Sequence, residues 1–343
     1  MNTVQQIYEI MEDELSRRIF LQRVKWSITQ GDERVLSEFW EYNERLSPIK
    51  KVLENNNGNI VIAGCGYRGI QLKNIYRDLK WKCFIDNNYS EEFCKEIPVY
   101  KVSDFSKMHN NEIIVIASRL YEKEIYEQLC ALGVSDKYII NYGKVLNQLL
   151  EDQYFDLTKP FLSNEQIFVD MGCWDGKTSV RLKKMIKDNL QKVIAFEPDK
   201  KRVAFCKKNM DSAGIGFKLI EKGCWSKEST LCFNSSGVDG MLMVDDSGNE
   251  FLEVTSLDRV IGDDKVSFIK MDIEGAEYEA LKGCKKTIQK YQPILAISVY
   301  HCFDDIIRIP QLINNYDDGY KFYLRHYSPA NAETILYAIP KQK

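Results

Sequence analysis

Three acids in this chain stand where an apolar run stops and a turn begins. Ile167-Phe168-Val169-Asp170 runs into Met171-Gly172-Cys173-Trp174-Asp175-Gly176. One strand–helix unit later, Val193-Ile194-Ala195-Phe196 ends at Glu197, followed by Pro198 and Asp199. The third run, Ser267-Phe268-Ile269-Lys270-Met271, ends at Asp272, with Glu274 two positions on. A buried strand feeding a glycine turn and then a helix is the unit of a doubly wound sheet. Such a sheet takes its ligand where the carboxyl ends of the strands meet the glycine turn. The acids decide the ligand. A pyrophosphate beside Asp170 and Asp175 would meet like-charge repulsion of roughly 4 kcal/mol per close pair at an effective dielectric near 20. A ligand carrying an ammonium and a sulfonium would be drawn in.

S-adenosylmethionine is such a ligand and is the expected cofactor. Asp170, Gly172, Asp175 and Gly176 are expected to hold its amino-acid end, with Gly172 letting the backbone approach closely. The bland alternative for Asp175 is a helix N-cap. Glu197 suits the ribose, because one carboxylate can accept from two vicinal hydroxyls; Pro198 and Asp199 would border the adenine. Asp272 and Glu274 leave their strand beside the expected methyl group and could share one face if the strand continues to Glu274. A carboxylate there can take a hydroxyl proton or orient the hydroxyl for in-line attack, and positioning is the larger effect. His301 follows the strand Ile294–Val299 to the same edge and can titrate near neutral pH. Asp272, Glu274 and His301 are therefore the candidate catalytic residues. No metal is expected, although a divalent ion on those three side chains is the alternative. Glu277 reads as a helix N-terminal acid complementing the dipole.

The elements that must position these residues follow the hydrophobic pattern. Residues 1–50 read as a helical segment, with Ile7, Ile10, Met11, Leu15, Ile19, Phe20 and Val24 at helical spacing and a second helix through Val35, Phe39 and Trp40. That segment would cap the next domain or contact a second copy of the chain, giving a homo-oligomer. Residues 51–145 read as a small Rossmann-like α/β domain, with strands at 59–63, 82–86, 113–117 and 138–140. Its turn Gly64-Cys65-Gly66-Tyr67-Arg68-Gly69, with Asp86 after the second strand, matches the dinucleotide fingerprint. A second nucleotide at Gly64, Gly66, Gly69 and Asp86 is thus an expectation, though the domain has room for only half a dinucleotide fold. Residues 146–164 read as a linker helix, and 165–343 as the second domain. Within it, 229–256 breaks the rhythm as an inserted hairpin around a Gly/Ser/Asp-rich loop, and strands at 321–327 and 333–339 close the sheet as an antiparallel pair.

The run Ser267-Phe268-Ile269-Lys270-Met271-Asp272-Ile273-Glu274-Gly275-Ala276-Glu277 is the most family-specific string. Four other groups are Asp170-Met171-Gly172, Phe196-Glu197-Pro198, Val254-Thr255-Ser256-Leu257-Asp258 and Ser298-Val299-Tyr300-His301. With Tyr323-Leu324-Arg325-His326, these closely resemble the FkbM family of methyltransferases over roughly residues 165–340. The resemblance implies a seven-stranded class I methyltransferase sheet and S-adenosylmethionine as methyl donor. It also implies O-methylation of a sugar, glycan or natural-product hydroxyl. Lys177 departs locally from the pattern, where an acid or small residue is expected. Two alternatives remain open: an NAD- or nucleotide-sugar-linked oxidoreductase or binding protein acting through the first domain, and an N-methyltransferase.

Composition sets the outer bounds. The 343 residues are 44% hydrophobic and 28% charged, enough for a sizeable core and about two domains. A net charge of -3 argues against nucleic acid or an anionic membrane as partner, leaving a small-molecule or glycan acceptor. Ten cysteines without any C-x-x-C pair fit reduced core thiols in a cytoplasmic protein. No apolar run approaches the length of a membrane helix.

Overall fold

The computed structural model describes residues 3–29, 35, 43–162, 164–234, 243–244 and 250–342. Phe39, Trp40 and most of the Gly/Ser/Asp-rich loop lie outside the described residues. The chain forms two compact units, one of Ile28–Gln153 with Tyr327–Asn331, the other of Met1–Ser27, Tyr154–His326 and Ala332–Lys343. The helical segment 1–50 is therefore divided between units. The second boundary falls after Gln153, inside the 146–164 stretch that the sequence reads as a linker. Among the described residues no helix is long and apolar enough to cross a membrane.

In the smaller unit the strands are β1 (Ile60–Ala63), β2 (Trp81–Ile85), β3 (Phe93–Cys94), β4 (Ile97–Tyr100), β5 (Ile113–Ile116) and β6 (Ile139–Ile140). They form one sheet in the order β3-β4-β2-β1-β5-β6. The pleat sends alternate side chains to opposite faces. Ile60 and Ile62 join one core with Leu72, Tyr142 and Leu146, while Val61 and Ala63 join another with Phe105 and Leu129. Helices cover both faces, which explains strands that are apolar throughout. β3 and β4 are absent from the sequence reading, because Pro98 interrupts a short and only half-buried run.

The glycine turn of this unit is accounted for by packing. A Cβ on Gly69 would lie 1.9 Å from the Gly64 carbonyl oxygen, so the helix Tyr67–Ile75 can approach the turn only through glycine. Asp86 is occupied as well. Its Oδ2 accepts from the Cys65 amide at 2.8 Å, and its Oδ1 from the amides of Asn88 and Tyr89 at 2.8 and 3.1 Å. The carboxylate that would hold a ribose instead closes its own turn, and the expected second nucleotide has no support here.

The larger unit adds β7 (Gln166–Met171), β8 (Leu190–Phe196), β9 (Phe217–Ile220), β10 (Gly223–Cys224), β11 (Ser229–Asn234), β12 (Met243–Val244) and β13 (Glu250–Thr255). It then continues through β14 (Phe268–Met271), β15 (Ile294–Ser298), β16 (Tyr320–His326) and β17 (Thr334–Pro340). Seven of these make a sheet in the order β16-β17-β15-β14-β7-β8-β9. β17 runs antiparallel to both neighbours, and the other pairings are parallel. This is the class I methyltransferase order with its C-terminal antiparallel hairpin. The insertion forms a small separate sheet in the order β10-β13-β11-β12.

A free edge at β16 would expose unpaired backbone groups. The N-terminal residues of the same unit cover it. Glu12 N donates to Phe322 O at 2.9 Å, Leu324 N donates to Ser16 Oγ at 2.9 Å, and Arg325 pairs with Asp13 at 2.7 Å. The helix Glu14–Ile28 also carries buried Arg23, stacked 4.7 Å from the Trp26 ring and donating to Tyr300 O at 3.4 Å.

Candidate active site

β7 and β14 are neighbours from which the chain leaves in opposite directions, β7 toward β8 and β14 toward β15. A doubly wound sheet opens its crevice at such a switch point. The two strand ends touch there. Gly172 has φ +74°, and a Cβ on it would sit 2.0 Å from Asp272 O, so both the dihedral and the space require glycine.

The loop after β7 is assembled by the residues expected to bind there. The amides of Gly172 and Cys173 both donate to Phe196 O at 3.1 Å. Glu197 takes the Trp174 amide on Oε2 and the Asp199 amide on Oε1, each at 3.0 Å. Burial raises the Glu197 pKa, against those two amides and Arg202. Gly176, at φ +76°, opens the helix Lys177–Ile186, and Asp199 caps the helix Lys200–Ser212 by accepting from Lys201 N at 2.8 Å. Asp175 accepts from Lys177 N at 3.0 Å and pairs with Lys177 Nζ at 2.6 Å. The unexpected lysine thus neutralises the loop acid beside it. Trp174 projects from the loop, half exposed, with the Arg202 guanidinium 3.1 Å from its ring centre. Gly172, Asp175, Gly176, Glu197, Pro198 and Asp199 are therefore brought together at the carboxyl ends of β7 and β8.

Asp170, expected to face the ammonium directly or through water, is enclosed beneath the loop. It is fully buried, its Oδ2 accepts from Ser179 Oγ at 2.8 Å, and its Oδ1 lies 3.2 Å from Lys270 Nζ. A carboxylate so enclosed and paired does not face a ligand's ammonium directly; it anchors the turn. Lys270 is buried too and donates to the carbonyls of Met171 and Gly172 at 3.2 and 2.7 Å. Burial pushes the Lys270 pKa down, but Asp170 and Asp272 outweigh it and hold the ammonium charged. The sequence signal was present, since a lysine inside an otherwise apolar central strand needs a partner.

Asp272, Glu274 and His301 do converge, and Glu277 joins them. His301, 5% exposed, sets Nε2 at 3.6 Å from Asp272 Oδ1 and 3.4 Å from Glu274 Oε2. Its Nδ1 lies 2.8 Å from Glu277 Oε1. Burial lowers the His301 pKa, but Glu274, Glu277 and Asp272 together raise it to about 10. The expectation of a base titrating near neutral pH is revised accordingly, because three carboxylates hold the ring as imidazolium. Burial raises the Asp272 pKa, yet Lys270, His301 and the hydrogen bond from Tyr154 hold it below the ordinary value. Tyr154 Oη donates to Asp272 Oδ2 at 2.7 Å, and Tyr300 Oη lies 3.3 Å from Oδ1. β14 stops at Met271, and Glu274 adopts φ +57°, so the two acids do not share a strand face; a tight turn turns both toward the histidine. Glu277 is fully buried and also accepts from Ile273 N at 2.9 Å. Its spacing from Glu274 fitted a helix-terminal acid equally well. Tyr154 carried no sequence signal at all, since it arrives from the 146–164 stretch.

Residues 170–322 match the family described as the methyltransferase FkbM domain. The acids, glycines and histidine of the site, from Asp170 to His301, all lie inside the matched residues, and Tyr154 lies outside them. Among solved structures, the FkbM methyltransferase of Methylobacillus flagellatus KT is 20% identical, with 94% of this chain and 99% of that chain covered and a TM-score of 0.48. The precorrin-6y C5,15-methyltransferase of Geobacter metallireducens GS-15 is 13% identical over 59% of this chain and 90% of its own, with a TM-score of 0.35. The tRNA (uracil-54, C5)-methyltransferase of Pyrococcus abyssi, solved in complex with S-adenosyl-L-homocysteine, is 10% identical over 57% of this chain and 37% of its own, with a TM-score of 0.32. The comparison with curated proteins gave no match.

Proposed function

We propose that the larger unit transfers a methyl group from S-adenosylmethionine to a hydroxyl of a sugar, glycan or natural product. The observation that carries this reading is the Asp272 carboxylate, oriented by Tyr154 Oη at 2.7 Å, on a residue whose backbone packs against Gly172 at the switch point between β7 and β14. The donor set suits the cofactor. Glu197 places a carboxylate with free lone pairs at the loop, which fits the vicinal hydroxyls of a ribose, while Asp175 is paired with Lys177. When bound, S-adenosylmethionine supplies an electrophilic methyl group on a sulfonium.

The residues of the chain then have separate tasks. Glu197 would hold the ribose hydroxyls with the lone pairs that the two amides leave free. Asp170 and Lys270 fix the turn from beneath. Asp272 would accept a hydrogen bond from the acceptor hydroxyl, and Tyr154 and Tyr300 fix the direction of that carboxylate. Those donors make Asp272 a weak base, so alignment contributes more than proton abstraction. Glu274, half exposed at the rim, is the carboxylate placed to carry the hydroxyl proton away. His301 holds Glu274 and Asp272 together and keeps three like charges from driving the turn apart.

Hydroxyl and amine acceptors are separated by incubating the full chain with methyl-labelled S-adenosylmethionine and matched panels of sugars, glycans and amines. Label in an ether of a hydroxylated acceptor is the expected result. Label confined to amines would replace the reading with N-methylation.

A further inference from the structure

Among the described residues, Asp272, Glu277 and His301 each present a possible ligand atom, all within 4.8 Å of one another. Proximity alone would describe an ion-pair cluster. The alignment argues otherwise. Nε2 of His301 is buried without an aligned hydrogen-bond partner, on a side chain 5% exposed, and it faces Asp272 and Glu274. Buried polar atoms are rarely left so.

We propose that Asp272, Glu274 and Nε2 of His301 bind one divalent cation, with Glu277 holding the ring from Nδ1. The separations from Nε2 to Asp272 Oδ1 and Glu274 Oε2, 3.6 and 3.4 Å, are long for hydrogen bonds. They are the separations expected of two ligands on one metal. With bonds of about 2.1 Å they subtend about 110–120° at the ion. A carboxylate on the far nitrogen of a ligating histidine fixes its tautomer and orientation, and Glu277 occupies that place at 2.8 Å, itself anchored by Ile273 N. The angle at the ion is nearer the tetrahedral one of Zn²⁺, and two carboxylates with one imidazole also accept Mn²⁺, which serves as the paramagnetic probe of the site. A cation there replaces the ring proton as the positive charge facing the two acids. Resting on the proposed acceptor site, this placement would let the ion polarise the bound hydroxyl.

Mn²⁺ binding to the chelator-stripped full chain, read by electron paramagnetic resonance without cofactor or acceptor, tests the site. One bound ion per chain is expected. Glu277→Gln should weaken it by about 10–100-fold, and Asp272→Asn should weaken it at least as much. Glu274→Gln alters a half-exposed side chain, so it keeps the test valid if the buried variants fail to fold. Wild type that binds no Mn²⁺ at millimolar concentration, or binding unchanged in folded Glu274→Gln, would overturn the proposal. A parallel titration with S-adenosylhomocysteine separates the two readings: its binding without Mn²⁺ binding removes only the metal site. Mn²⁺ binding without cofactor binding would remove only the methyltransfer reading.

Discussion

Lys270→Met removes one ammonium from the centre of the larger unit and little else, since methionine keeps the apolar stem. The consequence follows from what the ammonium touches. Lys270 and Asp170 are 4% and 0% exposed, and Nζ is the cation beside that carboxylate and the donor to the Met171 and Gly172 carbonyls. Removing one partner of a buried pair leaves an uncompensated charge, at a cost of about 3–5 kcal/mol. For a unit of this size each kcal/mol shifts the melting temperature by about 2–4 °C, so a fall of roughly 6–20 °C is expected. Scanning calorimetry of the full chain reads it as a shift of the larger unit's transition. Adding Asp170→Asn to Lys270→Met removes the stranded charge and should recover most of the loss. A shift below about 2 °C in Lys270→Met, or a double variant as unstable as the two single losses summed, would refute the argument that this pair anchors the turn.

Other outcomes follow from single contacts. Gly172→Ala should destabilise the larger unit more than Gly262→Ala, because both have positive φ but only Gly172 meets another atom, Asp272 O at 2.0 Å; equal melting temperatures would contradict the close approach. Asp86→Ala should cost the smaller unit roughly 1–3 kcal/mol in urea unfolding, with S-adenosylhomocysteine affinity unchanged. In the same unit, burial raises the Glu112 pKa, but Lys82 and backbone amides hold it at about 2, against 4.5 unperturbed. A folded pKa below the unfolded one means stability present above pH 4.5 and lost as pH falls toward 2. Circular dichroism across that window should show Glu112→Gln flattening the dependence.

Much of the fold was legible because buried parallel strands write themselves as apolar runs. β7, β8, β14 and β15 end within a residue or so of the acids and turns that mark them. β3 and β4 were hidden by their shortness and by Pro98. At the site, types and order could be read, but partners could not. Asp170 and Glu197 look alike in sequence, each an acid after a buried strand. Their roles diverge because Lys270 lies beneath one and two amides close over the other. His301 suggested a neutral-range base until three carboxylates surrounded it, and Glu277 was indistinguishable from a dipole acid until its burial was known. Such roles depend on contacts between residues distant in sequence, which spacing along the chain does not encode.

The central claim is that the carboxyl ends of β7 and β8 bind S-adenosylmethionine through Glu197. Isothermal titration of the full chain with S-adenosylhomocysteine tests it most directly. One site per chain is expected, weakened in folded Glu197→Ala by roughly 1.5–3 kcal/mol, about 10–150-fold in Kd. No binding by the wild type, or equal binding by Glu197→Ala, would contradict the account.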